Sequence, residues 1–315
     1  TIRSNGKQPG PEDDLVATTT DVTLTEEQIT TPHPVEFRFG PSYGRGSDMH
    51  IKFLSGERAG GGKRHGPNIS GIESFQLNHL EQLHLVSPDG GLLPTGENVA
   101  KGPPMGPGAQ PDAARRPPQG RSEKLGRSRP GAAALPVEVA CRGPFHFDVV
   151  QQLATFTDHV DVMQIHPDGP SDQLQCELLL IYFARQRSAL PTVANVQPGG
   201  AKPEASSAAS SLDLEPRRVE ARGAPVLIVS PSQDFQARGE KAEFDLWNQH
   251  MTLSGGEEVF LRQGPNEIHA RSVQYQPAPG GRLGQALAQG PGSLRAQKDK
   301  RPDQVLEVRW TDQLR

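Results

Sequence analysis

Residues 251–276 read MTLSGGEEVFLRQGPNEIHARSVQYQ. Within them Val259 and Leu261, then Ile268 and Ala270, then Val273 and Tyr275 recur two residues apart, the spacing that places side chains on one face of an extended chain. The runs are separated by Ser254-Gly255-Gly256 and Gly264-Pro265-Asn266, residue types that tight turns use. Extended runs of about 6 to 9 residues joined by turn residues describe an antiparallel β-meander.

The same unit occurs upstream. Cys141-Arg142-Gly143 aligns with Ala237-Arg238-Gly239, Phe147-Asp148-Val149 with Phe244-Asp245-Leu246, and Gln152 and Thr155 with Gln249 and Thr252. Beyond a hairpin that differs in length, Asp172, Leu174, Cys176, Leu179 and Ile181 fall on Asn266, Ile268, Ala270, Val273 and Tyr275. A unit this short hides one apolar face only by stacking on a neighbour, so two copies imply a continuous sandwich or solenoid.

Outward from the repeat, the chain divides into three structured blocks, 14–87, 137–190 and 219–315, separated by linkers at 88–136 and 191–218. Gly and Pro supply eighteen of the forty-four residues from Pro88 to Gly131, a density that neither helix interiors nor central strands accept. PTVANVQPGGAKPEASSAASSLDLEPRR, from Pro191 to Arg218, is small, polar and aperiodic. In the first block Val35, Phe37 and Phe39 alternate, as do Met49, Ile51 and Phe53. ISGIESFQLNHLEQLHLV (69–86) reads two ways: Phe75, Leu77, Leu83 and Leu85 fit strands, while Ile72, Phe75, Leu80 and Leu83 mark a helical face. Its neighbours favour strand.

Composition limits the options. The hydrophobic fraction is 34% and the aromatic fraction 5%, so cores are modest; 34 Gly and 30 Pro far exceed ordinary usage. A formal net charge of -4 provides no field to gather nucleic acid. No apolar run reaches the roughly 18 residues of a membrane-spanning helix. Two cysteines, Cys141 and Cys176, lack metal-site spacing; one disulfide and two buried thiols both remain open.

The third block resembles an OstA-like repeat of the lipopolysaccharide-transport proteins through Thr252-Leu253-x-Gly255, then Val259-x-Leu261-x-Gln263-Gly264-x-Asn266-x-Ile268-x-Ala270-x-x-Val273-x-Tyr275, with Ala288-Gln289-Gly290 and Leu294 fitting the next strand pair. The first block is similar to the membrane-anchored periplasmic member of that system, in which a Pro-Val-x-Phe strand, here Pro34-Val35-Glu36-Phe37, follows a strand rich in Thr and Val. The likeness spans roughly 50 residues in each of the later blocks and about 70 in the first. The long Gly/Pro insertions and Gly256-Glu257-Glu258 depart from the family pattern. The resemblance implies an all-β, open folded jellyroll holding acyl chains in an apolar groove. Its lining would be Phe147, Val149, Leu174, Leu246, Leu253, Leu261, Ile268 and Val273, which otherwise read simply as core. It further implies a periplasmic or cell-envelope, non-enzymatic protein without cofactor or metal, whose export signal or anchor is not visible in this chain. Lipopolysaccharide or another acylated amphiphile would be its ligand, other envelope jellyrolls its partners by edge-strand pairing, and nucleic acid no partner.

Catalytic signatures are weak. Gly56 to Lys63 nearly spells a phosphate loop, but Glu57 stands where a glycine belongs and Arg64 replaces the Ser or Thr. Gly44-Arg45-Gly46 lacks a third glycine and a following helix. His79, His84, His146, His159 and His166 have no ligand spacing and read as solvated. Glu257-Glu258 reads as a charged turn, and Arg115, Arg116, Arg121 and Arg127 as a solvated linker. The competing functions are a closed, ligand-free scaffold and a β-solenoid carbohydrate enzyme, the latter resting on Asp148 over Asp245 and Asp172 over Asn266.

Overall fold

The computed structural model describes residues 2–4, 15–39, 42–55, 69–87, 92–93, 135–167, 169–185, 214–276, 285–298 and 301–315. These form eighteen strands: β1 (Ile2–Ser4), β2 (Leu15–Thr18), β3 (Thr23–Leu24), β4 (Gln28–Phe39), β5 (Ser42–Ser55), β6 (Ile69–Ser87), β7 (Leu135–Ala140), β8 (Phe145–Asp148), β9 (Leu153–Gln164), β10 (Asp172–Arg185), β11 (Leu214–Ser230), β12 (Phe235–Asp245), β13 (His250–Gln263), β14 (Asn266–Gln276), β15 (Gln285–Gln289), β16 (Gly292–Lys298), β17 (Arg301–Trp310) and β18 (Gln313–Leu314). All belong to one sheet and every pairing is antiparallel. The ladder continues across the stretches read as linkers: β6 pairs with β7 and β8, and β10 with β11. The Arg115 to Arg127 cluster and the 56–63 loop lie outside the described residues.

This sheet is folded across its own strands. Phe75 shares a rung with Ile51 and Ile29, while Phe37 stands eight positions along β4 from Ile29. In a flat sheet those rungs lie about 26 Å apart at 3.3 Å per residue. The two rings are nevertheless 5.1 Å apart, centroid to centroid. The halves of the strands therefore face each other as two layers, with the apolar core between them.

The backbone shows how the fold is made. Each long strand changes its inward phase near the middle. In β10 Leu174 and Cys176 point in, then Leu179 and Ile181; in β12 Ala237 and then Ala242 and Phe244; in β14 Ala270 and then Val273. The register slips between Cys176 and Leu178, between Arg222 and Val226, between Arg238 and Lys241, and between Ser254 and Val259. One extra residue in a strand is a β-bulge, which bends and twists it while letting both halves keep their apolar sides inward. Asp48, Asp158 and His159 take left-handed backbone angles on the same line. Four rows break there altogether, as β2/β3, β7/β8, β15/β16 and β17/β18, each pair serving the two layers of one row.

The aligned repeats carry matching details at this line. A Cβ on Gly143 would lie 2.7 Å from the Thr157 carbonyl oxygen, and one on Gly239 would lie 2.9 Å from that of Ser254. The turns after Asp148 and Asp245 have the same length, and Gln152 and Gln249 both adopt left-handed angles, φ 56 and 53. Leu174, Cys176, Leu179 and Ile181 sit opposite Val162, Val160, Phe156 and Ala154; Ile268, Ala270, Val273 and Tyr275 sit opposite Leu261, Val259, Leu253 and Met251.

Three expectations need correction. Several strands run far beyond 9 residues, to 19 in β6, because a bulge bends the chain without ending its ladder. The 191–218 linker extends too far, since β11 begins at Leu214. Leu92 and Leu93, read as linker, are buried core residues, and the Leu93 amide donates to Gln164 Oε1 at 3.1 Å. The ambiguous 69–86 segment is strand, as favoured, and its helix-like spacing comes from register shifts at Glu73, between Ile72 and Phe75, and at Glu81, between Leu80 and Leu83. Gly239→Ala should destabilise the protein by roughly 1–3 kcal/mol, because the added methyl meets backbone that the layered arrangement holds in place. Urea unfolding of this variant beside an exposed-position control checks it.

Candidate functional site

Folding the sheet places the two ends of each unbroken strand at the free margins of the two layers, one lip to each layer. One lip carries the 149–152 and 246–249 turns, and the other the 231–234 and 264–265 turns and the described residues that follow β9 and precede β10. A single rung runs along the first, from Lys52 through Ser74, Asp148, Leu153, Tyr182, Arg218 and Asp245 to His250.

The expected groove residues divide by depth. Leu174 and Leu253 are 0% exposed and Val273 3%, so these three are closed core. Phe147, Val149, Leu246, Leu261 and Ile268 are half-buried. Phe147, Val149 and Leu246 stand at the first lip, and Leu261 and Ile268, which face each other on β13 and β14, near the second. Sequence reasoning did not single out Phe183 or Tyr275 as lip residues, although both pack half-buried against the core at the first lip. Phe147 and Phe183 meet edge to face at 5.9 Å. Burial pushes the Tyr275 phenol above its ordinary value, so it stays neutral and adds no charge to the lip.

In the second block the opposite lip is filled. Leu92 and Leu93 pack there, Gln164 holds the Leu93 amide, and His166 Nε2 lies 2.6 Å from Oδ2 of the fully buried Asp172. The third block has no counterpart to this filling among the described residues, and Leu261 and Ile268 remain partly open.

The polar groups considered for catalysis have structural partners. Asp148 Oδ1 accepts the Gln151 amide at 2.7 Å; Asp245 Oδ1 accepts the amides of Trp247 and Asn248 at 3.0 and 2.9 Å. Partial burial draws the Asp245 carboxyl upward, but these bonds, with one from the Asn248 side chain, outweigh it and hold the group below its ordinary value. Asn266 Oδ1 accepts the Gln297 amide. Glu257 and Glu258 are exposed, and Glu258 lies 3.1 Å from His269. His79 and His159 are exposed as expected, whereas His84 is half-buried and stacked on Tyr43, and His166 is half-buried against Asp172. Enclosure by a neighbouring ring or carboxylate is what the spacing of histidines in a sequence does not reveal. Gly44-Arg45-Gly46 lies within β5, so no helix follows it. Asp158, His159 and Glu177 come together on the outer side of the bend, away from the groove. A cleft of about 400 Å³ on the outside of the first block, between Arg38, Tyr43 and Arg45, contains none of the expected groove residues.

Both cysteines are free and buried. Burial is the main cause that pushes the Cys141 thiol up to about 11 and that of Cys176 up to about 12, so neither ionises readily. The Cys141 thiol donates to the Gly143 carbonyl at 3.2 Å.

On the outer face of the first lip, Glu220 is 2% exposed beneath a canopy of cations. Arg222 Nε donates to it at 2.6 Å, Arg218 at 3.2 Å, and Lys241 lies 3.4 Å away; Glu243 closes the network through Arg218 and Lys241. Burial draws the Glu220 carboxyl upward, but the Arg222 hydrogen bond and the Lys241 and Arg222 charges overcome this and leave it below its ordinary value.

No protein-family model matches the chain, and no curated protein does. Among solved structures it is similar to LptH, the LptA-homologous periplasmic component of the conserved lipopolysaccharide transport device from Pseudomonas aeruginosa, at 14% identity and a TM-score of 0.32, over 55% of this chain and 94% of that one. No helix among the described residues is long and apolar enough to cross a membrane.

Two outcomes follow from the buried groups. A group whose carboxyl is depressed by folding contributes stability above its unfolded pKa and loses that contribution as pH falls through the folded one. Glu220→Gln should thus cost about 1–3 kcal/mol at neutral pH, with the gap to wild type closing below about pH 4.5; parallel urea titrations at several pH values measure it. The double variant Cys141→Ala, Cys176→Ala should lose less than the roughly 3 kcal/mol scale of a disulfide, and wild-type thiols should react with a thiol reagent only on unfolding.

Proposed function

We propose that this chain is a non-enzymatic carrier of the cell envelope that binds lipopolysaccharide or a related acylated amphiphile between its two layers. One observation carries the reading. The residues resemblance assigns to the groove are closed at depth and half-open at the lips, so the apolar interior is continuous with surface that a ligand reaches. Phe147, Val149 and Leu246 on one side and Leu261 and Ile268 on the other are the first contacts, and Leu174, Leu253 and Val273 the floor. Each methylene moved from water into such a site contributes about 0.8 kcal/mol, so acyl chains supply affinity without a charged pocket. The chemistry is burial alone; vectorial movement would draw its energy from a partner. Periplasmic residence fits an amphiphile carrier, and the terminal edge strands offer backbone groups that another envelope jellyroll would satisfy by strand addition.

A closed scaffold is the second reading, and the buried Leu92 and Leu93 favour it, since they occupy one lip with the chain's own side chains. Thermal unfolding with and without lipopolysaccharide separates the two. A carrier at ligand concentrations near a hundred times Kd gains about 2.7 kcal/mol, and a scaffold gains nothing. Leu261→Ala and Ile268→Ala should each reduce the ligand increment while lowering intrinsic stability by only about 1–2 kcal/mol, less than the 2–5 typical of a closed core. No stabilisation by any acylated amphiphile would leave the scaffold reading in its place.

A further inference from the structure

The first lip has a feature that groove lining does not require. Exposed apolar side chains project at or beyond its rung: Trp247 is 68% exposed and Val150 63%, and Leu24 and Leu54 are also exposed at this end. Trp247 and Val150 hold the same position in the two aligned turns, two residues after Asp245 and Asp148. Their hairpins are separated by roughly 14 Å of sheet, three strand spacings from β9 to β12. They are isolated tips, unlike the contiguous apolar centre of a protein interface.

The turns bearing them are polar-satisfied from within. Asp245 takes the Trp247 and Asn248 amides and Asp148 the Gln151 amide, while the Leu246 amide donates to the Arg217 carbonyl and the Val149 amide to the Glu73 carbonyl. With these five amides already bonded, the turns strand fewer donors on entering a weakly polar layer. Arg217 lies under the exposed indole, its Cζ 4.7 Å from the ring centroid, so a cation and an aromatic ring are presented together. Tryptophan concentrates at the boundary between headgroups and acyl chains, and a guanidinium pairs with phosphate.

We propose that this lip docks on the surface of a phospholipid bilayer, with Trp247 and Val150 entering the headgroup boundary and Arg217 meeting lipid phosphate. The contact places the half-buried Phe147 and Leu246 next to the bilayer, so the mouth of the groove and the membrane-facing edge coincide. It goes beyond the carrier reading and is measured separately from it: vesicle association does not require ligand in the groove, and ligand-induced stabilisation does not require vesicles.

The full chain is floated on a density gradient with vesicles of phosphatidylcholine and phosphatidylglycerol in equal parts. Wild type should float with the vesicles. Val150→Ser with Trp247→Ser should reduce partition by about ten-fold or more, and Arg217→Gln should weaken binding and flatten its salt dependence. Since Val150 and Trp247 are exposed, the unfolding midpoint of the double variant should match wild type, which separates lost docking from lost fold. Wild type that does not float overturns the proposal, as does equal flotation of the double variant. A concentration-dependent dimer abolished by the same substitutions, without vesicle binding, would assign the tips to a protein contact and equally overturn it.

Discussion

A single antiparallel sheet has two faces, and this chain has apolar residues enough for one. With a third of its residues hydrophobic and few aromatics, its only route to a core is to turn the apolar face upon itself. That requirement governs the backbone. The bend must cross every row on one line, because a row that bent elsewhere would break its rungs with both neighbours. It must also switch the side-chain phase, since a strand continuing in strict alternation through an odd-residue bulge would turn one half of its apolar set to water. The extra residues of β9 at Asp158 and His159, of β11 at Gly223 to Pro225 and of β13 at Gly255 to Glu258, and the tight approaches of Gly143 and Gly239, are the local solutions to one global condition.

The same condition grades the interior. Positions near the bend are enclosed by both layers and by covalent continuity, and they are dry: Leu253 and Val273 belong here. Farther out the layers are held only by packing, and the residues that meet there are partly wet. Depth in the groove thus follows distance from the bend, except where the chain supplies its own filling, as Leu92 and Leu93 do in the second block. The two buried carboxylates among the described residues are handled differently, Asp172 against His166 at the second lip and Glu220 on the outer face. Glu220 is buried, but on the outer face beneath Arg218, Arg222 and Lys241, where its compensation is complete without any polar atom entering the apolar side.

Much of this was written in the sequence, and the parts that were not have identifiable causes. The gap of two between Ala270 and Val273, in a pattern that otherwise skips one residue, is the β14 phase change itself, and the Cys176 to Leu179 spacing repeats it in β10. Slips at Glu73 and Glu81 make Ile72, Phe75, Leu80 and Leu83 imitate a helix, so the device that lets a strand bend also blurs its reading. Half-burial is different: Leu261 and Leu253 have equal claims to the groove by spacing, and only the position of the bend tells lip from floor. Leu92 and Leu93 were hidden because composition averages over forty-four residues and two leucines vanish in it. Trp247 and Val150 were recoverable, since the repeat alignment stacks two large apolar residues at a turn tip where polar ones are usual.

The broken rows determine where the two layers separate most easily. In β9 through β14 each strand runs through the bend, so prying the layers apart strains backbone and rungs together. In β15/β16 and β17/β18, two adjacent rows, the chain leaves one layer at Gly290 and Pro291 and again at Thr311 and Asp312, and no ladder crosses the line. The hinge is therefore weakest beside β14, the strand that carries Ile268, whose partner Leu261 lies opposite on β13. The half-open lip of the third block lies beside two adjacent broken rows, while the filled lip of the second block has a single broken row, β7/β8, beside β9. Local breathing favours regions with few tethering bonds, so the two layers part most easily at the carboxyl-terminal end, beside the half-buried Leu261 and Ile268.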